Sequence, residues 1–336
     1  MNTEFKIARL TGKAQFGVVL VLCLFFSKSA QAGNDYWVGN PNVTATTNWS
    51  DINNWSSAQQ TYYNEVEFTG VGTNVNANFA VNNVLDVTTG VAQMPIWELD
   101  YWNTNGNYTT LINPGVTMTL AAGNGKLEVG AGLVSDDYTA ASPAPSNAVE
   151  TITIEGAGAE LSMAGTLLVA QGSPAPIDTH NVTLVLSNLD TFIDNGGPGS
   201  GSEILVAAGG AAHTHGTLYL AKTNQISLGN DFQICSQASN SLPCAVYLGQ
   251  VNNILTGTGN LIVGDPGCTT NGALMQFNPA FVGGANPPTA NFGGNGASGR
   301  IANFYISDAN GAPQIPGNAL CNFSGGNVTM LAATME

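Results

Sequence analysis

Apolar and polar residues alternate with a period of two along most of the chain. "VTMTL" (116–120), "ETITIEG" (150–156), "NVTLVLSN" (181–188) and "GTLYLAK" (216–222) each place their apolar side chains on one face. That period predicts half-buried strands, because successive strand side chains point to opposite faces. Gly, Asn, Pro or Ser bounds each run, and helical spacing of Leu, Glu, Lys and Arg is absent. The pattern predicts an all-β chain.

The strands recur in two types. One reads apolar-x-apolar followed by a small residue or Cys: "LEVGAG" (127–132), "LLVAQG" (167–172), "ILVAAG" (204–209), "FQICSQ" (232–237) and "LIVGDPG" (261–267). The other falls between them: "LVLSNLDTF" (184–192), "LYLAKTNQI" (218–226), "VYLGQVNNI" (246–254) and "ALMQFNPAF" (273–281). One such unit cannot bury its own apolar face, so a periodic chain of this kind stacks coil on coil. Gly and Ala permit sharp corners, and a recurring Asn can form a side-chain ladder at a corner. The predicted fold is a parallel β-helix, with Leu218/Val246, Leu220/Leu248 and Ile226/Ile254 stacked inside and Asn224/Asn252 stacked at a corner. A β-sandwich, also built of short strands with frequent turns, is the alternative.

Composition divides the chain further. Lys6, Arg9 and Lys13 precede the apolar run "FGVVLVLCLFF" (16–26), and Ala30-Gln31-Ala32 supplies a cleavage-like site. Residues 1–32 therefore read as a secretory signal, too short to span a bilayer. Residues 33–115 hold all five tryptophans and read as an aromatic N-terminal cap with the first coils. Residues 116–336 read as the solenoid body. Beyond residue 32 the cations are Lys126, Lys222 and Arg300 against 21 acids, a net charge of −18. That charge excludes nucleic acid and anionic surfaces as partners. No other apolar run is long enough to span a membrane. Four cysteines follow the signal, Cys235, Cys244, Cys268 and Cys321, and an even number in an exported chain fits two disulfides.

Several short stretches together carry a resemblance. Trp37-x-Gly39, Asn48-Trp49-Ser50 and Asn53-Asn54-Trp55, then "NEVEFTG" (64–70) and "NTNGNYTTLINPGVTMTLAAG" (103–123), are similar to the start of exported bacterial autotransporter-associated repeat proteins and PEP-CTERM-associated proteins. "LSNLDTF", "LYLAKTN" and "VYLGQVNNI" resemble their repeat body. The resemblance implies export and a right-handed β-helix, in a family often without known enzymatic activity, and it brings no catalytic residue with it. The C-terminal stretch "CNFSGGNVTMLAATME" departs from that pattern, with neither an apolar sorting helix nor translocator strands, which implies free release or truncation of a longer chain.

The chemical motifs do not assemble at the level of sequence. Asp136-Asp137 are adjacent, so on a strand they would point to opposite faces. His213-Thr214-His215 has metal-ligand spacing but lies in "AAGGAAHTHGT", read as a solvated loop, with no visible link to His180. "GGPGSG" (196–201) and "GGNGAS" (293–298) approach a calcium-binding β-roll repeat but lack its Asp. "GNGASG" (294–299) matches a phosphate-loop pattern without a helix to follow it. Trp49 and Trp55 are candidate glycan-stacking aromatics, with packing in the cap as the alternative. The expectation is a non-catalytic, secreted or cell-surface structural or adhesive protein. It needs no cofactor beyond weak surface calcium, and extracellular glycans or other surface proteins are its expected partners. A carbohydrate-binding or polysaccharide-degrading β-helix is the alternative.

Overall fold

A computed structural model describes residues 34–37, 47–55, 65–69, 82–90, 96–102, 105–120, 125–130, 149–170, 180–207, 214–235, 244–257, 259–264, 272–306 and 319–335. Residues 1–32, read above as a secretory signal, and Asp136-Asp137, His213 and Cys268 lie outside the described residues. Nearly all the regular structure is strand; two short 3-10 turns, Ile52–Asn54 and Pro279–Phe281, are the helical elements among the described residues. Every pair of named strands is parallel, which makes this a parallel β-helix and removes the sandwich alternative.

The coil has three faces. The first is a ten-stranded sheet running from Asn34–Tyr36 through Lys126–Val129, Ile204–Val206 and Leu261–Val263 to Ala332–Met335. The second includes Asn105–Ile112, His180–Val185, Thr214–Tyr219, Cys244–Leu248 and Leu320–Asn322. The third includes Leu189–Asp194, Thr223–Ser227, Val251–Thr256 and Asn327–Met330. The long strand Val149–Met163 runs through both the second and third faces and joins them into one sheet. It turns near Gly156 and Gly158, where a side chain on Gly156 would collide with the Ile112 carbonyl. The second sequence-level strand type thus divides in two: "LVLSNLDTF" bends at residues 186–188 and continues as a separate strand from Leu189.

Period two fills the interior. On the first face Leu127, Leu167, Ile204, Phe232, Leu261 and Phe304 stack in register, each 0–2 % exposed. Burial of such a side chain contributes roughly 1.5–3 kcal/mol. On the second face Ile152, Leu184, Leu218, Val246 and Met275 form the matching column. Three of the four pairs expected to stack do so: Leu218 lies on Val246, Ile226 on Ile254, and Asn224 on Asn252.

The small residue after each first-face strand has a conformational cause. Gly130, Ala170, Ala207, Cys235 and Gly264 occupy one position in five successive coils, and all have positive φ. Each backbone N–H donates to the coil before it, as Ala207 N does to the Val169 carbonyl at 2.8 Å. A side chain in the left-handed region costs about 1–2 kcal/mol, and more when bulky, so small side chains are tolerated best.

Candidate functional site

Among the described residues, the outward-pointing side of the first face brings together one group of three carboxylates. Strand parity turns Leu99 and Tyr101 inward, so Glu98 and Asp100 point out. One coil on, Lys126 and Glu128 lie beside them in register, Lys126 on Glu98 and Glu128 on Asp100. One ligand atom from each of Glu98, Asp100 and Glu128 lies within 4.8 Å of the others. Asp100 is fully buried and Glu128 nearly so. The Lys126 ammonium donates to Glu98 Oε1 at 2.7 Å and also contacts the Glu128 carboxylate.

Electrostatics follow from that geometry. Burial lifts the Glu128 carboxyl above its ordinary range; Lys126 opposes the shift and Glu98 adds to it. Burial alone would lower the Lys126 ammonium, but its bonds to Glu128 and Glu98 more than offset this and raise it. The cluster could hold a hard cation through three oxygen donors, as calcium prefers. Such an ion would have to displace the ammonium that already neutralises part of the charge.

This convergence was not recognised in the sequence, although a signal was there. "ELDY" (98–101) and "KLEV" (126–129) share the same parity and sit 28 residues apart, the spacing of the Ile204-to-Phe232 coil. Aligning the two by that period would have brought the carboxylates together.

The residues singled out by sequence fare differently. Trp49 and Trp55 are 1 % and 2 % exposed, so neither offers a ring face to a sugar. They pack edge to face, 5.2 Å apart, beside Trp37 and Phe68. Their indole N–H groups donate to Asn83 Oδ1 and to the Trp49 carbonyl. They belong to the buried core, as the packing alternative expected. Cys235 is disulfide-bonded, with its partner outside the described residues. Cys244 and Cys321 carry thiols and are not bridged to each other. The reason is register: Cys244 pairs with Ala273 and Cys321 with Met275, so the two lie two coils and two residues apart. That is roughly 11 Å between Cα atoms, beyond the roughly 7 Å a disulfide spans. Burial pushes the Cys244 thiol up to about 11 and the Cys321 thiol up to about 12, so neither is an activated nucleophile.

His215 corrects a second expectation. It lies in the strand Thr214–Tyr219 rather than in a loop. It is half-buried beside Thr217 Oγ1 at 3.3 Å, and burial lowers its pKa. The "GNGASG" stretch is a tight corner closed by Gly294 N donating to the Gly299 carbonyl, with no helix after it. Outside the acidic cluster, Tyr219 and Tyr247 stack in register on the outer second face, with centroids 4.3 Å apart and planes 7° from parallel. No family model, curated protein or solved structure matches the chain.

Proposed function

We propose that this protein is exported and serves as a non-catalytic structural or adhesive rod at the cell surface or in the extracellular matrix. The observation that supports it most is the unbroken in-register stack of ten first-face strands, whose interior is filled by apolar ladders. Such a stack is stiff because each coil is held by its neighbours through both hydrogen bonds and packing. The acidic surface and the N-terminal signal pattern fit an extracellular setting. No helix among the described residues is long and apolar enough to cross a membrane.

The alternative, a carbohydrate-active β-helix, draws on one specific feature, the Glu98, Asp100 and Glu128 convergence. Paired carboxylates at about 5–9 Å are the machinery of glycoside hydrolysis. Against it, two of the three are buried and Lys126 lies among them. Reducing-end release from neutral polysaccharides, together with a glycan array, separates the readings. The rod predicts no turnover, and Glu98→Gln with Glu128→Gln should alter only stability. Turnover abolished by those substitutions would establish the enzyme and remove the rod.

A further inference from the structure

The corner between the first and second faces repeats one contact from coil to coil. Ala207 occupies the left-handed position in one coil, and Gly216 is an inward position at the start of the next face. One coil on, register puts Cys235 over Ala207 and Cys244 over Gly216. A Cβ built on Gly216 would lie 2.9 Å from Ala207 N and 3.0 Å from Val206 Cγ1. Cys244 carries a real Cβ at the equivalent place, so it lies against the Cys235 backbone. That contact sets the two Cα atoms within the roughly 7 Å that a disulfide spans. Both cysteines are fully buried and belong to the one core cluster.

The two sulfurs are in different states. Cys235 is disulfide-bonded to a cysteine outside the described residues, whereas Cys244 carries a thiol. The Gly216 backbone hydrogen-bonds the Cys244 sulfur and favours its thiolate. A thiol held beside a disulfide is the arrangement that thiol–disulfide exchange requires. Packing alone does not demand sulfur at this position. The same column holds Gly216 in the coil before and Ala273 in the coil after.

We infer that Cys244 is a resident exchange partner for the Cys235 disulfide, so that the folded chain has two oxidised pairings. In the exchange the Cys244 thiol gives up its proton and the thiolate attacks Cys235 Sγ. The Cys235–Cys244 bond forms, the original S–S bond breaks, and the departing sulfur leaves as a thiolate that takes up a proton. One disulfide replaces another, so no outside oxidant or reductant is consumed. The new pairing ties the corner to itself across residues 236–243 and frees the cysteine that Cys235 had held. Burial keeps the Cys244 thiol protonated, which makes the exchange slow and the first pairing persistent.

The test is disulfide mapping by mass spectrometry of the purified, oxidised protein. The folded chain is held at about pH 9 for a day without added thiol, since uncatalysed rearrangement takes minutes to hours, then quenched with acid and alkylated. At least a tenth of the molecules should carry a Cys235–Cys244 bridge, with a new thiol at the cysteine released and the Cys321 thiol unchanged. Cys244→Ala, a side chain the column already accepts at Ala273, should leave the circular dichroism unchanged and hold every molecule in the original pairing. Cys321→Ala should exchange as the wild type does. A folded protein that never yields the Cys235–Cys244 bridge overturns the inference. So does a bridge that forms only after unfolding in urea, or loss of the original pairing at the wild-type rate in Cys244→Ala.

Discussion

Two buried polar regions of the solenoid obey opposite rules. At the corner between the second and third faces, Asn224 and Asn252 stack one coil apart, 0 % and 1 % exposed. Asn224 Nδ2 donates to Asn252 Oδ1 at 2.8 Å and to the Ala221 carbonyl. Asn252 Oδ1 also accepts from Gly249 N, and its Nδ2 donates to the Gly249 and Thr289 carbonyls. In the inward columns of the same two faces, Glu150 lies between Gly106 and Val182, and Asp194 between Met163 and Ile226. Among the described residues neither Glu150 oxygen has a hydrogen-bond partner, and Asp194 accepts one bond, from Gly196 N at 3.2 Å. An amide both donates and accepts, so translation by one coil satisfies it with its own kind. A carboxylate only accepts, so stacking cannot satisfy it and burial drives it toward the neutral acid.

The largest effect should come from breaking the corner. A Cβ on Gly249 would lie 1.8 Å from the Ala221 carbonyl oxygen, so Gly249→Ala should cost about 3 kcal/mol in urea unfolding. Asn252→Leu should cost a similar amount, about 3 kcal/mol, because it strands Gly249 N and three other partners. Asn224→Leu should cost less, about 1–2 kcal/mol, since its Oδ1 is already unpaired and Phe192 lies beneath it. Equal costs for the two Asn changes would break the idea of a directional ladder.

The acid columns should respond in the opposite sense. Burial lifts Asp194 to about 8 and Glu150 well above the carboxylate range. Folding therefore retains protons that the unfolded chain releases, and stability rises as pH falls from about 8 toward the ordinary carboxylate range. Each such group contributes a slope of up to about 1.4 kcal/mol per pH unit there. Asp194→Asn should stabilise the fold by about 1–3 kcal/mol at pH 7 and flatten that slope in melts taken across pH. A wild-type stability that falls on acidification from pH 8 to 5 would contradict it. Asp190, held below its ordinary value first by Lys222 and then by the Gly158 N–H, pulls the other way but is exposed. The smallest expected effect is at that pair: Lys222→Ala should change stability by under about 0.5 kcal/mol, because both side chains are over a third exposed.

The readable part of the fold was local. Parity alone placed Leu218, Val246, Ile226 and Ile254 inside, and the small residue after each first-face strand marked the left-handed corner. The third face was missed because the bend in "LVLSNLDTF" occupies three residues inside a run that keeps its alternation. Glu150 was legible in principle: in "ETITIEG" it shares its parity with Ile152 and Ile154, which face the core. The acidic cluster was not legible strand by strand, because each strand carries only one or two of its groups.

The sequence by itself determined the strands, which side of each faces inward, and the existence of a stack, because these follow from a period of two and a repeat that cannot bury itself alone. Only the tertiary structure decided register between coils. Register brought Lys126 and Glu128 beside Glu98 and Asp100, kept Cys244 and Cys321 beyond bridging distance, and tertiary packing buried Trp49 and Trp55 in the core. Register is a sum of weak cross-coil contacts over some 28 or more residues of intervening chain, and no short stretch contains it.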